Sequence, residues 1–148
     1  MELEIMEKMK TRLVNLAIVI LLLFGLLTIF MAGSVILDLF GIRGKEGQYV
    51  PFVVWANLVC GLLYVMSAIA FFQLRRWAVW PLVLAVLILV ITLGGLLLYI
   101  NSGGLYENKT LFAMVFRTAV TLAFAYLVKK VLDTQRNGNL VLETKEKI

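Results

Sequence analysis

Hydrophobic and polar positions divide the chain into four long apolar runs with short polar stretches between them: Leu13 to Leu37, Pro51 to Leu74, Trp77 to Ile100, and a last one that begins at Leu111. Three exceed the roughly 20 residues that cross about 30 Å of hydrocarbon at 1.5 Å per residue, and the fourth, Leu111 to Val128, comes close at about 18. Backbone amides in lipid must be satisfied within the segment, so runs of this length are helices unless they close a barrel, and the strict alternation of barrel strands is absent. The pattern predicts an all-α fold: a four-transmembrane-helix bundle with helices over about residues 13–37, 51–74, 77–100 and 111–131, all in one integral membrane domain covering 1–148. The polar tail over 133–148 is expected to have no fold of its own.

The first run follows MEKMKTR and has MAGS near its end, as a cleaved leader would. Its apolar core of about 25 residues is far longer than the roughly 7 to 15 of a signal peptide, so it is expected to stay in the mature protein. The second connection, Arg75 and Arg76, is so short that helices two and three must be antiparallel neighbours. Glycines in the other two connections, Gly41, Gly44 and Gly47 in one and Gly103 and Gly104 in the other, suit compact turns. Asn108-Lys109-Thr110 fits a glycosylation sequon, a tripeptide common by chance and without meaning in a bacterial cell.

Charge then sets the orientation. Lys8, Lys10, Arg12, Arg75, Arg76, Lys129, Lys130, Arg136, Lys145 and Lys147 fall on one side of the four spans, against Arg43, Lys45 and Lys109 on the other. By the positive-inside rule the N- and C-termini are both expected to be cytoplasmic, in a bacterial inner membrane. Aromatic residues agree, with Trp77, Trp80 and Tyr126 near the inner boundary and Tyr49, Phe52, Trp55, Tyr99 and Tyr106 near the outer one. Topology and anionic lipid account for the net charge of +5, which leaves no basis for a nucleic-acid partner.

Composition removes several chemistries. With 62% hydrophobic and 16% charged residues the chain needs a second solvent, here a lipid bilayer. There is no histidine and only one cysteine, Cys60, which rules out an intramolecular disulfide, a Cys/His metal site and histidine-ligated haem. Met31, Met66 and Met114 offer soft thioethers, a set commoner as core filler than as copper ligands. No cofactor or metal is expected.

One charge stands inside a span. From Arg117, steps of four residues reach Ala113, Thr121 and Ala125, so the arginine belongs to a small or polar stripe that is expected to face the bundle. Helix two carries a comparable stripe of Asn57, Cys60 or Gly61, Tyr64, and Ser67 or Ala68. Asn57 and Arg117 both lie six residues in from the outer ends at Pro51 and Leu111, roughly 9 Å deep, and are expected to meet. Ser34 and Asp38 at the end of helix one, and Thr92 in helix three, fall in the same depth zone, so a polar cluster in the outer half of the bundle is expected. Three readings of Arg117 stand: it snorkels to outer head groups or caps backbone carbonyls; it pairs with Asp38, Glu46 or Glu107 beside a pocket for an anionic or polar ligand; or it sets register against a partner protein.

Around GKEGQYVPFVVWANLVCGLLYV and YENKTLFAMVFRT the chain resembles small, uncharacterised four-helix inner-membrane proteins of bacteria, and it is similar to DoxX-like proteins in helix count. That resemblance implies no reaction and no functional residues. Small multidrug transporters, the DsbB and vitamin K type thiol oxidoreductases and the MAPEG enzymes all need embedded glutamate, paired cysteines or histidine-containing motifs that this sequence lacks. Without an acid/base pair, an activated nucleophile or a phosphate loop in the spans, the expected function is that of a non-enzymatic accessory or assembly subunit, with self-association or a larger membrane complex as partner. The alternative is a small carrier or binding protein for a lipid, quinone or anion, with ligand contacts at Arg117, Asn57, Asp38, Ser34, Thr92, Tyr64 and Thr121.

Overall fold

Proline in the first turn of a helix gives up only an amide that has no intrahelical partner, and Pro51 opens the second helix in this way, directly after extended Val50. The computed structural model describes residues 1–41, 44 and 50–146, without the side chains of 2–4, 6–7, 40 and 138–146. Arg43, Lys45, Glu46, Gly47, Tyr49 and Lys147 lie outside the described residues. The fold is all-helical: α1 (Glu2–Ile36), α2 (Pro51–Phe72), α3 (Val79–Asn101) and α4 (Asn108–Glu146), with short 3-10 turns at Leu39–Gly41 and Arg76–Ala78. Lys8–Ile36, Pro51–Phe72, Arg76–Asn101 and Asn108–Asn137 are each long and apolar enough to cross a membrane.

Two of these helices outrun the apolar runs. α1 starts at Glu2 and α4 continues through Glu146, so the described part of the polar tail is a helical extension of α4. The segments beyond the apolar runs contain no proline and are rich in Leu, Met, Glu, Lys, Gln and Arg, all good helix formers. Hydropathy ends where the apolar residues end; backbone hydrogen bonding does not.

The turns have identifiable caps. At the end of α2 the amide of Leu74 donates to Phe71 O at 2.9 Å and that of Arg75 to Ala70 O at 2.9 Å, a Schellman closure with Leu74 at φ +53°. The end of α3 repeats it, with Gly103 donating to Ile100 O and Gly104 to Tyr99 O, and here glycine supplies the positive φ of +83°. These closures satisfy terminal carbonyls that are otherwise orphaned. Ser67 on α2 also donates to Ala78 O at 2.7 Å, tying the helix to the turn that follows it.

Extensive helix-helix packing among the described residues joins α1 to α2, α2 to α3 and α3 to α4, which leaves α4 without an extensive seam to either α1 or α2. The closest approach is between α1 and α2. A Cβ on Gly61 would sit 2.8 Å from Ile29 Cγ1 and 3.1 Å from Ile29 N, and one on Gly25 would sit 3.0 Å from Tyr64 Cβ. Small residues at a crossing let two backbones approach where packing rather than water drives association. Gly94 in α3 has nothing within 4 Å of such a position, so it mediates no close contact.

Phe52 and Tyr99 meet edge-on at 6.4 Å, at the end of the bundle that holds the start of α2 and the end of α3. At the opposite end Arg76 and Val79 share a hollow with Lys129, Leu132, Asp133 and Arg136 of α4, so the basic stretch of α4 lies beside the short basic turn. Much of the outer surface is apolar: Ile91, Leu98, Phe112 and Trp80 are each more than 70% exposed. Exposed apolar area on this scale marks contact with something other than water.

The glycine contacts give a paired test. Gly61→Ala is expected to destabilise the bundle by about 1–3 kcal/mol through overpacking, whereas Gly94→Ala is expected to be neutral or to stabilise α3 by up to about 1 kcal/mol. Thermal unfolding of both variants in detergent checks the contrast.

Candidate functional site

A threonine hydroxyl in a helix can return its proton to the carbonyl four residues back, and Thr121 does so to Arg117 O at 2.7 Å. Its only proton is then committed. The 2.7 Å contact between Tyr64 Oη and Thr121 Oγ1 must therefore be donated by the tyrosine. Tyr64 is fully buried, its ring 5.3 Å from that of Phe24, so the chain Tyr64 to Thr121 to the Arg117 carbonyl holds α2 against α4 in the bundle interior. Cys60, one turn earlier on α2, is also fully buried, with Sγ 3.7 Å from Ala85 O.

Above this contact is a cavity of about 300 Å³. Met31, Ala32 and Val35 of α1 form one wall, and Val50 with Val53, Val54 and Asn57 of α2 forms the floor. The third wall comes from Glu107 and from Lys109, Thr110, Ala113, Met114 and Arg117 of α4. Met31 on α1 and Ala113 on α4 are exposed while Ala32, Val53 and Met114 are buried, so the cavity is accessible on the side where α1 and α4 share no extensive packing.

Two polar atoms in it are left over. Asn57 Oδ1 and Arg117 Nη1 are both buried, and neither has a hydrogen-bond partner among the described residues. The two side chains line the same cavity and do not satisfy each other. Glu107, a carboxylate expected to pair with Arg117, lines the cavity but is not bonded to that Nη1. Glu46, another, lies outside the described residues. Burying such a group unsatisfied costs about 1–3 kcal/mol, and more when it is charged.

The other expected members lie elsewhere. Ser34 is buried but donates to Phe30 O at 2.7 Å, and Thr92 donates to Ile88 O at 2.6 Å, so both hydroxyls are spent on their own helices. Asp38 sits exposed past the end of α1 at φ +51° and does not line the cavity. Tyr64 and Thr121 are bonded to each other below it. Sequence reasoning had no place for Ala32 and Val35 and read Met31 only as a thioether, although their spacing at the C-terminal end of α1 is that of one helix face. Met31 and Met114 share the cavity and Met66 does not line it.

The chain matches no family model, no curated protein and no solved structure. The cavity and its two unanswered polar atoms therefore carry the functional reading.

Removing opposite halves of the Tyr64–Thr121 contact should have unequal effects. Tyr64→Phe leaves Thr121 bonded to its carbonyl and is expected to cost about 0.5–1.5 kcal/mol, while Thr121→Val strands the tyrosine hydroxyl and is expected to cost about 1–3 kcal/mol. Unfolding midpoints of the two variants give the order directly.

Proposed function

We propose that this chain is a multi-pass protein of the bacterial inner membrane, with both termini cytoplasmic, that binds an amphiphile with an anionic or strongly polar group in the outer half of its bundle. It acts by holding and orienting that ligand rather than by catalysis. The observation that carries the reading is the pair Asn57 Oδ1 and Arg117 Nη1, both buried on residues that line one cavity and without partners among the described residues. An arginine at the middle of a span costs about 2.5–3.5 kcal/mol, less where it reaches toward an interface. A hydrogen bond to a charged group contributes about 1.5–3 kcal/mol, so one anionic ligand offsets a comparable amount. Membrane placement rests on the four apolar helices, and the orientation on the cluster of Arg75, Arg76, Lys129 and Lys130 toward one end.

An accessory or assembly subunit, in a larger complex or a homo-oligomer, is a second reading. It draws on the length of α4, whose 39 residues continue past its apolar segment and present a helical surface to a partner. The two roles are compatible, since a ligand-holding subunit can also dock on a complex.

Two measurements test the proposal. In intact cells an impermeant maleimide is expected to label a cysteine replacing Ser102 and not one replacing Lys10; the reverse pattern rejects the orientation. Native mass spectrometry after mild detergent extraction is expected to show a retained amphiphile, with occupancy reduced about tenfold or more in Arg117→Ala, the loss of one charge-assisted bond. Equal occupancy in a folded Arg117→Ala protein rejects the site.

A further inference from the structure

The two unpartnered atoms differ in kind: Arg117 Nη1 is a cationic donor and Asn57 Oδ1 a neutral acceptor. With the Asn57 amide oriented as it is here, a simple anion answers the first and leaves the second empty. A ligand that answers both needs an acceptor with negative charge and, beside it, a hydrogen-bond donor. The rim repeats that polarity, with Lys109 for an anion and Glu107 for a donor. Behind them the walls are apolar, and the lateral gap lies between exposed Met31 on α1 and Ala113 on α4. At about 300 Å³ the space is at the lower end for a small-molecule site, enough for a head group and too small for acyl chains as well.

Resting on the amphiphile-binding reading above, we infer that the cavity takes the head group of a glycerophospholipid that bears a hydroxyl or ammonium donor next to its phosphate. The phosphate faces Arg117 and Lys109, the donor faces Asn57 and Glu107, and the acyl chains leave through the gap between α1 and α4. Phosphatidylglycerol and phosphatidylethanolamine have this pattern. Phosphatidylcholine carries the same phosphate but no N–H or O–H donor, which makes it the discriminating probe.

The test equilibrates the purified full chain with each of these three lipids, of identical acyl chains, or with soluble glycerol 3-phosphate, and counts retained adducts by native mass spectrometry. The wild type is expected to retain phosphatidylglycerol and phosphatidylethanolamine about tenfold better than phosphatidylcholine, and glycerol 3-phosphate not at all. Asn57→Ala is expected to bring the three lipids to within about twofold of one another, while Arg117→Gln loses all three and Arg117→Lys recovers part of the retention. Cooperative thermal unfolding of each variant establishes that it is folded. Should Arg117→Gln fail to fold, the Asn57→Ala selectivity still decides. Equal retention of phosphatidylcholine by the wild type, selectivity unchanged in Asn57→Ala, or equal retention of glycerol 3-phosphate overturns the inference. Arg117-dependent retention of oleate or ubiquinone in place of phospholipid also overturns it but leaves the amphiphile-binding reading standing. Retention that ignores Arg117 in a folded protein removes both.

Discussion

A guanidinium cannot shed its charge in a protein, so a buried Arg117 Nη1 obliges its surroundings to supply an acceptor. The helices around it are arranged so that none of the described groups does. Thr121 fixes the backbone of α4 one turn below through the Arg117 carbonyl, and Tyr64 anchors that threonine from α2. The backbone of α4 at Arg117 is thereby tied to α2 through a buried chain of hydrogen bonds. Its neighbours on α1 and α2 are mostly Val, Ala and Met, which take no hydrogen bond worth the name.

The space for this exists because the helices pack unequally. Glycines bring α1 and α2 to near-contact at Gly25 and Gly61, while α4 is reached from α2 by the Tyr64 side chain and packs more closely on α3. A bundle that is tight on one side and propped apart on the other leaves a wedge between α1 and α4. In water such a wedge would collapse or fill; under the proposed membrane placement it is a site for a lipid-borne ligand, because hydrocarbon flanks its opening and its polar atoms sit at the back.

The helical architecture was legible because apolar runs of spanning length have few alternatives, and α2 and α3 start and stop close to the ends of their runs. The extra turns of α1 and α4 were not, since charged helix formers carry no hydropathy signal. Depth counting along two helices put Asn57 and Arg117 at one level, and both line one cavity. Counting does not fix the rotation of a helix or the fate of a hydroxyl, so Ser34 and Thr92 were grouped with them although each bonds the carbonyl four residues back. The opening between α1 and α4 is a property of pairwise packing, which a single sequence does not display.

The most direct measurement is an experimental structure of the full chain in a phospholipid nanodisc, with any bound density kept. Density is expected within hydrogen-bonding distance of both Arg117 Nη1 and Asn57 Oδ1, continuing outward between α1 and α4. A guanidinium turned to the acyl chains, or closed onto Glu107 or a backbone carbonyl with no such density beside it, would contradict it.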